Sequence, residues 1–196
     1  MTEYPNYKRA TNAAYEVLKI YDGRYPKIDI FHLLLMYSDR ISIHTYTECA
    51  AREGVSVREF VDDYAESEMG FTFFDRKKKR WEIFYNDTKC ETTIRFTLAH
   101  ELGHVVLEHD EDNDIHDREA NCFARNLLVP VPVRDGYQLE KIDDYCECFN
   151  ISDLMAKVVK DLSGSDSYYI TQENYDEIFG RAYVSISGCS LAELYY

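Results

Sequence analysis

Apolar positions recur at helical spacing along most of this chain, interrupted by one alternating run and two aromatic-rich runs. Ala10, Ala13, Ala14, Val17 and Leu18 follow a 3.6-residue period and predict a helix over residues 6–21, stopped by Gly23 and Pro26. A second helical run covers 29–37, with Ile30, Leu33, Leu34 and Tyr37 on one side. Residues 41–46 alternate with period two and read as a strand, on which His44 is expected to be a surface or core histidine rather than a ligand. Ser56 and Glu59 have capping-box spacing ahead of Phe60, Val61 and Tyr64, which predicts a helix over 57–66. The aromatic runs 71–74 and 81–85 flank Arg76-Lys77-Lys78-Lys79-Arg80 and are expected to form a hairpin with the basic run as its turn.

The most apolar helical run spans 94–107. Phe96, Leu98, Ala99, Leu102, Val105, Val106 and Leu107 cover most of its sides, the mark of a central helix. An acidic stretch follows, then a helix over 115–128 that Pro130 and Pro132 end. Helices over 138–146 and 153–162 come next, the second with Ser152 as N-cap and Gly164 as its stop. A short helix is expected over 173–179. The expected division is a compact domain over 1–163 and a C-terminal extension of unassigned role over 164–196.

Composition narrows the picture. The 196 residues are 45% hydrophobic, enough for one core with a small appendage. No stretch approaches the roughly 20 apolar residues that cross a bilayer, and the N-terminus lacks the basic-then-apolar order of a secretory signal, so the expectation is a cytoplasmic protein without membrane contact. The net charge of −14 argues against direct nucleic-acid binding. Cys49, Cys90, Cys122, Cys146, Cys148 and Cys189 are scattered and read as free thiols; Cys146-Glu147-Cys148 lacks the spacing of a zinc knuckle.

Chemistry concentrates in His100-Glu101-Leu102-Gly103-His104, which reads H-E-x-x-H inside the most apolar helix. Residues four apart share a helix face, so His100 and His104 can present two imidazoles to one ion, with Glu101 placed to take a proton from water. The bland alternative is an amphipathic helix whose histidines happen to share a face. Two histidines and a glutamate on a buried helix are costly without partners, and a cation is a partner that serves all three. A catalytic zinc takes three protein ligands. Four of the six histidines fall between residues 100 and 116, and Glu108, Asp110, Glu111, Asp112, Asp114, Asp117 and Glu119 crowd the same region. Ala120, Asn121, Ala124, Leu127 and Leu128 form an inward stripe whose small members allow close helix approach; extended backward, it reaches Asp117. Asp117 could equally be a helix-start carboxylate that favours the positive end of the helix. Glu119, two residues on, is the other candidate, and His116 lies in the same turn. His109, His116 and Tyr85 are weighed as oxyanion donors, with a structural role the stronger reading of each.

Arg95-Phe96-Thr97-Leu98-Ala99-His100-Glu101-Leu102-Gly103-His104, followed by Glu119-Ala120-Asn121-Cys122-Phe123-Ala124-Arg125-Asn126-Leu127-Leu128-Val129-Pro130, resembles the ImmA/IrrE metallopeptidases. The likeness is strong over these central residues, looser from the upstream helices to about residue 162, and ends at Ser163. It implies an α+β fold: a mainly helical zincin-like metallopeptidase domain with a small three-stranded sheet packed on the H-E-x-x-H helix. It implies Zn²⁺ held by His100, His104 and a carboxylate four residues before Asn121. That position is Asp117, where the family usually has Glu, one methylene longer. It further implies Glu101 as the catalytic base, and a helix-turn-helix repressor of a mobile element or stress regulon as the protein substrate. The competing reading is a non-proteolytic regulator that binds a repressor or a toxin–antitoxin partner around a structural metal.

Overall fold

A computed structural model describes residues 4–109, 111, 113–137 and 139–187. Asp110, Asp112, Gln138 and Cys189 lie outside them, and with them the start of the helix expected over 138–146 and the end of the expected C-terminal extension.

Two helices open the chain, α1 (Tyr7–Ile20) and α2 (Ile30–Leu35). Strand β1 (Ile41–Thr45) runs directly into α3 (Tyr46–Glu53), then α4 (Val57–Asp63) and the hairpin β2 (Gly70–Asp75) and β3 (Arg80–Tyr85). The H-E-x-x-H helix is α5 (Glu91–Val106), followed by α6 (Asp114–Leu128). Shorter helices close the described chain: α7 (Val131–Tyr137), α8 (Ile142–Phe149), α9 (Asp153–Asp161), α10 (Ser163–Tyr169) and the longer α11 (Gln172–Ser187). This is a mainly helical α+β fold with a three-stranded mixed sheet. No helix among the described residues is long and apolar enough to cross a membrane.

The sheet order is β1-β3-β2, with β1 parallel and β2 antiparallel to the central β3. The basic run forms the hairpin turn, where Asp75 Oδ1 accepts from the backbone N–H groups of Lys77 and Lys78 at 2.8 and 3.1 Å. His44 pairs across the sheet with buried Glu82 (2.6 Å), a structural role as expected. Helix α5 rests on β2 and β3, and α6 packs on both α5 and α1. The approach of α5 to α6 depends on small residues: a Cβ on Gly103 would stand 3.2 Å from the Cα of Ala120 and 3.1 Å from the Phe123 ring.

The structure corrects several boundaries. Helix α3 stands where no helix was expected: Tyr46 extends the strand's alternation but is the first residue of a helix that Thr45 and Glu48 cap reciprocally and Gly54 ends at φ 72°. Helix α7 begins one residue after Pro130 and carries Pro132 in its first turn, where a missing N–H costs nothing. The helix expected over 138–146 lies at 142–149, so that Tyr145 and Phe149 are buried. Gly164 does not stop a helix; it sits inside α10, and the break falls at Leu162. Helix α11 runs well past residue 179, and its Ile178 and Ala182 join the main core.

Candidate metal centre

Helix α5 carries His100 and His104 one turn apart, with their Nε2 atoms 3.0 Å from each other. Asp117, in the first turn of α6, brings Oδ1 to 3.8 Å from His100 Nε2 and 3.5 Å from His104 Nε2. A tetrahedral ion with bonds of about 2.0–2.1 Å spreads its ligand atoms about 3.3–3.4 Å apart. The observed triangle has that size. Two imidazole nitrogens and a carboxylate oxygen are also the donor set that zinc prefers, so the residues fit the ion that the sequence implies. Among the described residues, this is the group of His, Cys, Asp and Glu side chains close enough to hold a metal.

The shorter Asp side chain reaches because α6 lies so close to α5 at Gly103 and Ala120. Glu119 is directed elsewhere: its Oε2 is 3.0 Å from His109 Nε2, and its Oε1 accepts the backbone N–H of Asn6 at 2.6 Å. His116 stacks on His109, ring centroids 4.1 Å apart, and its Nδ1 lies 2.7 Å from the carbonyl oxygen of Glu111. Tyr85 is buried in the core and meets Phe31 edge-on. Asn121, expected only as a member of the inward stripe of α6, also contacts a ligand histidine of the site. Its Oδ1 sits 3.1 Å from His100 Nδ1, an arrangement in which Nδ1–H donates and Nε2 keeps its lone pair for the ion. Its place on the inward stripe of α6 was the available signal.

Glu101 is 5% exposed, on the wall of a cleft of about 760 Å³ that also takes in His100, His104 and Asp117. Strand β2 forms the facing wall, and Gly70 permits its approach: a Cβ there would stand 2.5 Å from Thr97 Cγ2 and 3.6 Å from Glu101 Oε1. β2 is an edge strand whose residues Gly70–Phe74 line the cleft, and its outer edge has no partner strand among the described residues. A second, more apolar groove of about 600 Å³ adjoins the first, sharing Thr93, Phe96 and Asn121 with it.

Burial, reinforced by His100, His109 and His116, pulls the His104 pKa down to about 3. Burial also lowers that of His109, with Glu119 opposing. His104 is therefore neutral, as a metal ligand must be. In the unfolded chain it titrates near 6.5. Below that pH the unfolded state takes up a proton that the folded state refuses until about 3, so this group's contribution to stability falls as the pH is lowered through that window. Metal-free protein is expected to melt at progressively lower temperature from pH 7 to pH 5, with a shallower decline for His104→Asn. Equal slopes for the two proteins would contradict this.

The comparison with known families bears on this geometry directly. Residues 50–145 match the family model Peptidase_M78, the IrrE N-terminal-like domain. The chain carries a domain of the ImmA/IrrE family. The matched span of this metallopeptidase-family domain includes His100, Glu101, His104, Asp117 and Asn121, together with the edge strand β2. Helices α1 and α9–α11, which pack behind it, lie outside the matched span. No curated protein matches the chain.

Proposed function

We propose that this chain is a zinc-dependent endopeptidase whose substrate is a helix-turn-helix transcriptional repressor. The observation that carries the reading is the zinc-sized triangle of His100, His104 and Asp117, set in a cleft between Glu101 and an open strand edge. When bound, zinc supplies a Lewis acid that brings the pKa of water toward about 7 and polarises the scissile carbonyl. His100, His104 and Asp117 would hold it. Glu101 accepts the proton of the attacking water and returns it to the leaving amine. An extended substrate segment pairs with the outer edge of β2, which fixes its backbone across the cleft. The rim carries Glu66, Glu108 and Glu111 against one Arg76, and this charge suits a basic segment of the kind that DNA-binding proteins expose.

The test is incubation with a helix-turn-helix repressor encoded beside this chain, followed by mass analysis. The expected outcome is about one equivalent of zinc per chain and discrete fragments that vanish when a chelator strips the metal. Less than about half an equivalent of zinc after metal is added back would overturn the metal site. Relief of repression with the repressor intact would overturn the peptidase reading and leave a regulator in its place.

A further inference from the structure

His109 and Glu119 form a buried chain behind the metal site that the mechanism above does not use. It begins in an unusual helix end. Helix α5 closes with Leu107 as C-cap and Glu108 in the left-handed region at φ 54°. The Glu108 N–H donates to the Val105 carbonyl at 3.2 Å and the His109 N–H to the His104 carbonyl at 3.0 Å, the paired bonds of a Schellman turn. That turn folds His109 back beneath His104, and the two Nδ1 atoms come within 3.1 Å. The other side of the His109 ring meets Glu119 Oε2 at 3.0 Å. The two side chains are 2% and 7% exposed, so these bonds are shielded from bulk water. The N-terminus of α1 closes the chain, because the Asn6 N–H holds the second oxygen of Glu119 at 2.6 Å.

The order of donors follows from chemistry. An ionised carboxylate only accepts, so His109 donates from Nε2–H. The Nδ1 of that neutral ring then carries a lone pair and accepts from Nδ1–H of His104. The one nitrogen of His104 left with a lone pair is Nε2, which faces His100 and Asp117. We propose that Glu119 and His109 are positioning residues: through the Glu119–His109–His104 chain they fix the tautomer and ring orientation of His104, and so set the affinity of the site for zinc. The inference rests on the metal-site reading above. It also gives Glu119 a role different from that of a ligand, and gives α1 a part in the site although α1 lies outside the matched family span.

Zinc affinity, read by competition with a chromophoric chelator, and the visible spectrum of the cobalt-substituted protein test it. Glu119→Gln and His109→Phe, the latter retaining a ring to stack on His116, are each expected to weaken zinc binding about 10- to 100-fold and to shift the cobalt bands. Ile178→Val, a core change on α11, destabilises the fold without touching the chain and is expected to keep wild-type affinity and spectrum. Either of the first two variants suffices if the other does not fold. Zinc affinity within twofold of wild type in a folded Glu119→Gln or His109→Phe protein would overturn the proposal alone. Failure of the wild-type protein to bind zinc would overturn the metal site and this proposal together.

Discussion

Glu101→Gln is expected to cut peptidase turnover by about 10²- to 10⁴-fold while zinc stays bound at one equivalent, the span that a positioned general base contributes. Glu101 follows His100 on α5 and, among the described residues, the group able to hold a metal consists of His100, His104 and Asp117, so the Glu101 carboxylate would stand beside a bound ion rather than on it. Glutamine keeps the volume of a side chain that is 5% exposed, so the cleft and the seat of β2 near Gly70 should persist. What it removes is a carboxylate able to take a proton and return it. Turnover of a repressor or derived peptide, measured beside zinc content and thermal melting, separates the possibilities. Retention of more than a tenth of wild-type turnover with zinc bound would remove Glu101 from the proton-transfer step. Loss of zinc along with activity would mean that Glu101 supports the metal instead.

The two helices of the site were legible because their signals are local and redundant. H-E-x-x-H lies within one turn of an apolar helix, and the stripe from Ala120 to Leu128 marks the face of α6 turned toward it. That stripe also pointed back to Asp117, although a choice between Asp117 and Glu119 needed the separation of the two helices, which Gly103 and Ala120 set in three dimensions. The hairpin was legible for the same reason: aromatic runs on either side of a polar turn declare themselves. What escaped was non-local or a conflict between equal signals. Tyr46 continues the alternation of β1 and also starts α3, and the reciprocal cap of Thr45 and Glu48 decides the matter. The chain from Glu119 to His104 joins residues from two helices and a turn, so no periodicity shows it. Asp166 gave no sign at all, because a lone aspartate among serines and tyrosines reads as surface until its partner is known.

That partner makes Asp166→Ala the most destabilising change expected outside the metal site, by about 3–5 kcal/mol. Asp166, on α10, is 3% exposed and accepts from Arg125 Nε and Nη2 at 2.7 Å each and from Asn126 Nδ2 at 3.2 Å. Burial alone would lower the Arg125 pKa, but the bonds to Asp166 more than offset it and raise the value. Removal of the carboxylate leaves a buried guanidinium without the counter-charge that Asp166 supplies. Arg125→Met combined with Asp166→Leu removes both charges and is expected to cost far less than Asp166→Ala, or nothing. Urea denaturation of the three proteins reads the difference. A loss below about 1 kcal/mol for Asp166→Ala would mean that water reaches Arg125 and that the pair acts as a surface contact. Zinc affinity is the informative second measurement. Arg125 lies one turn beyond Asn121 on α6, and Asn121 orients His100. If packing on α5 and α1 alone fixes α6, Asp166→Ala keeps wild-type zinc affinity despite its instability. A parallel loss of affinity would show that α10 holds the metal helix in register from behind.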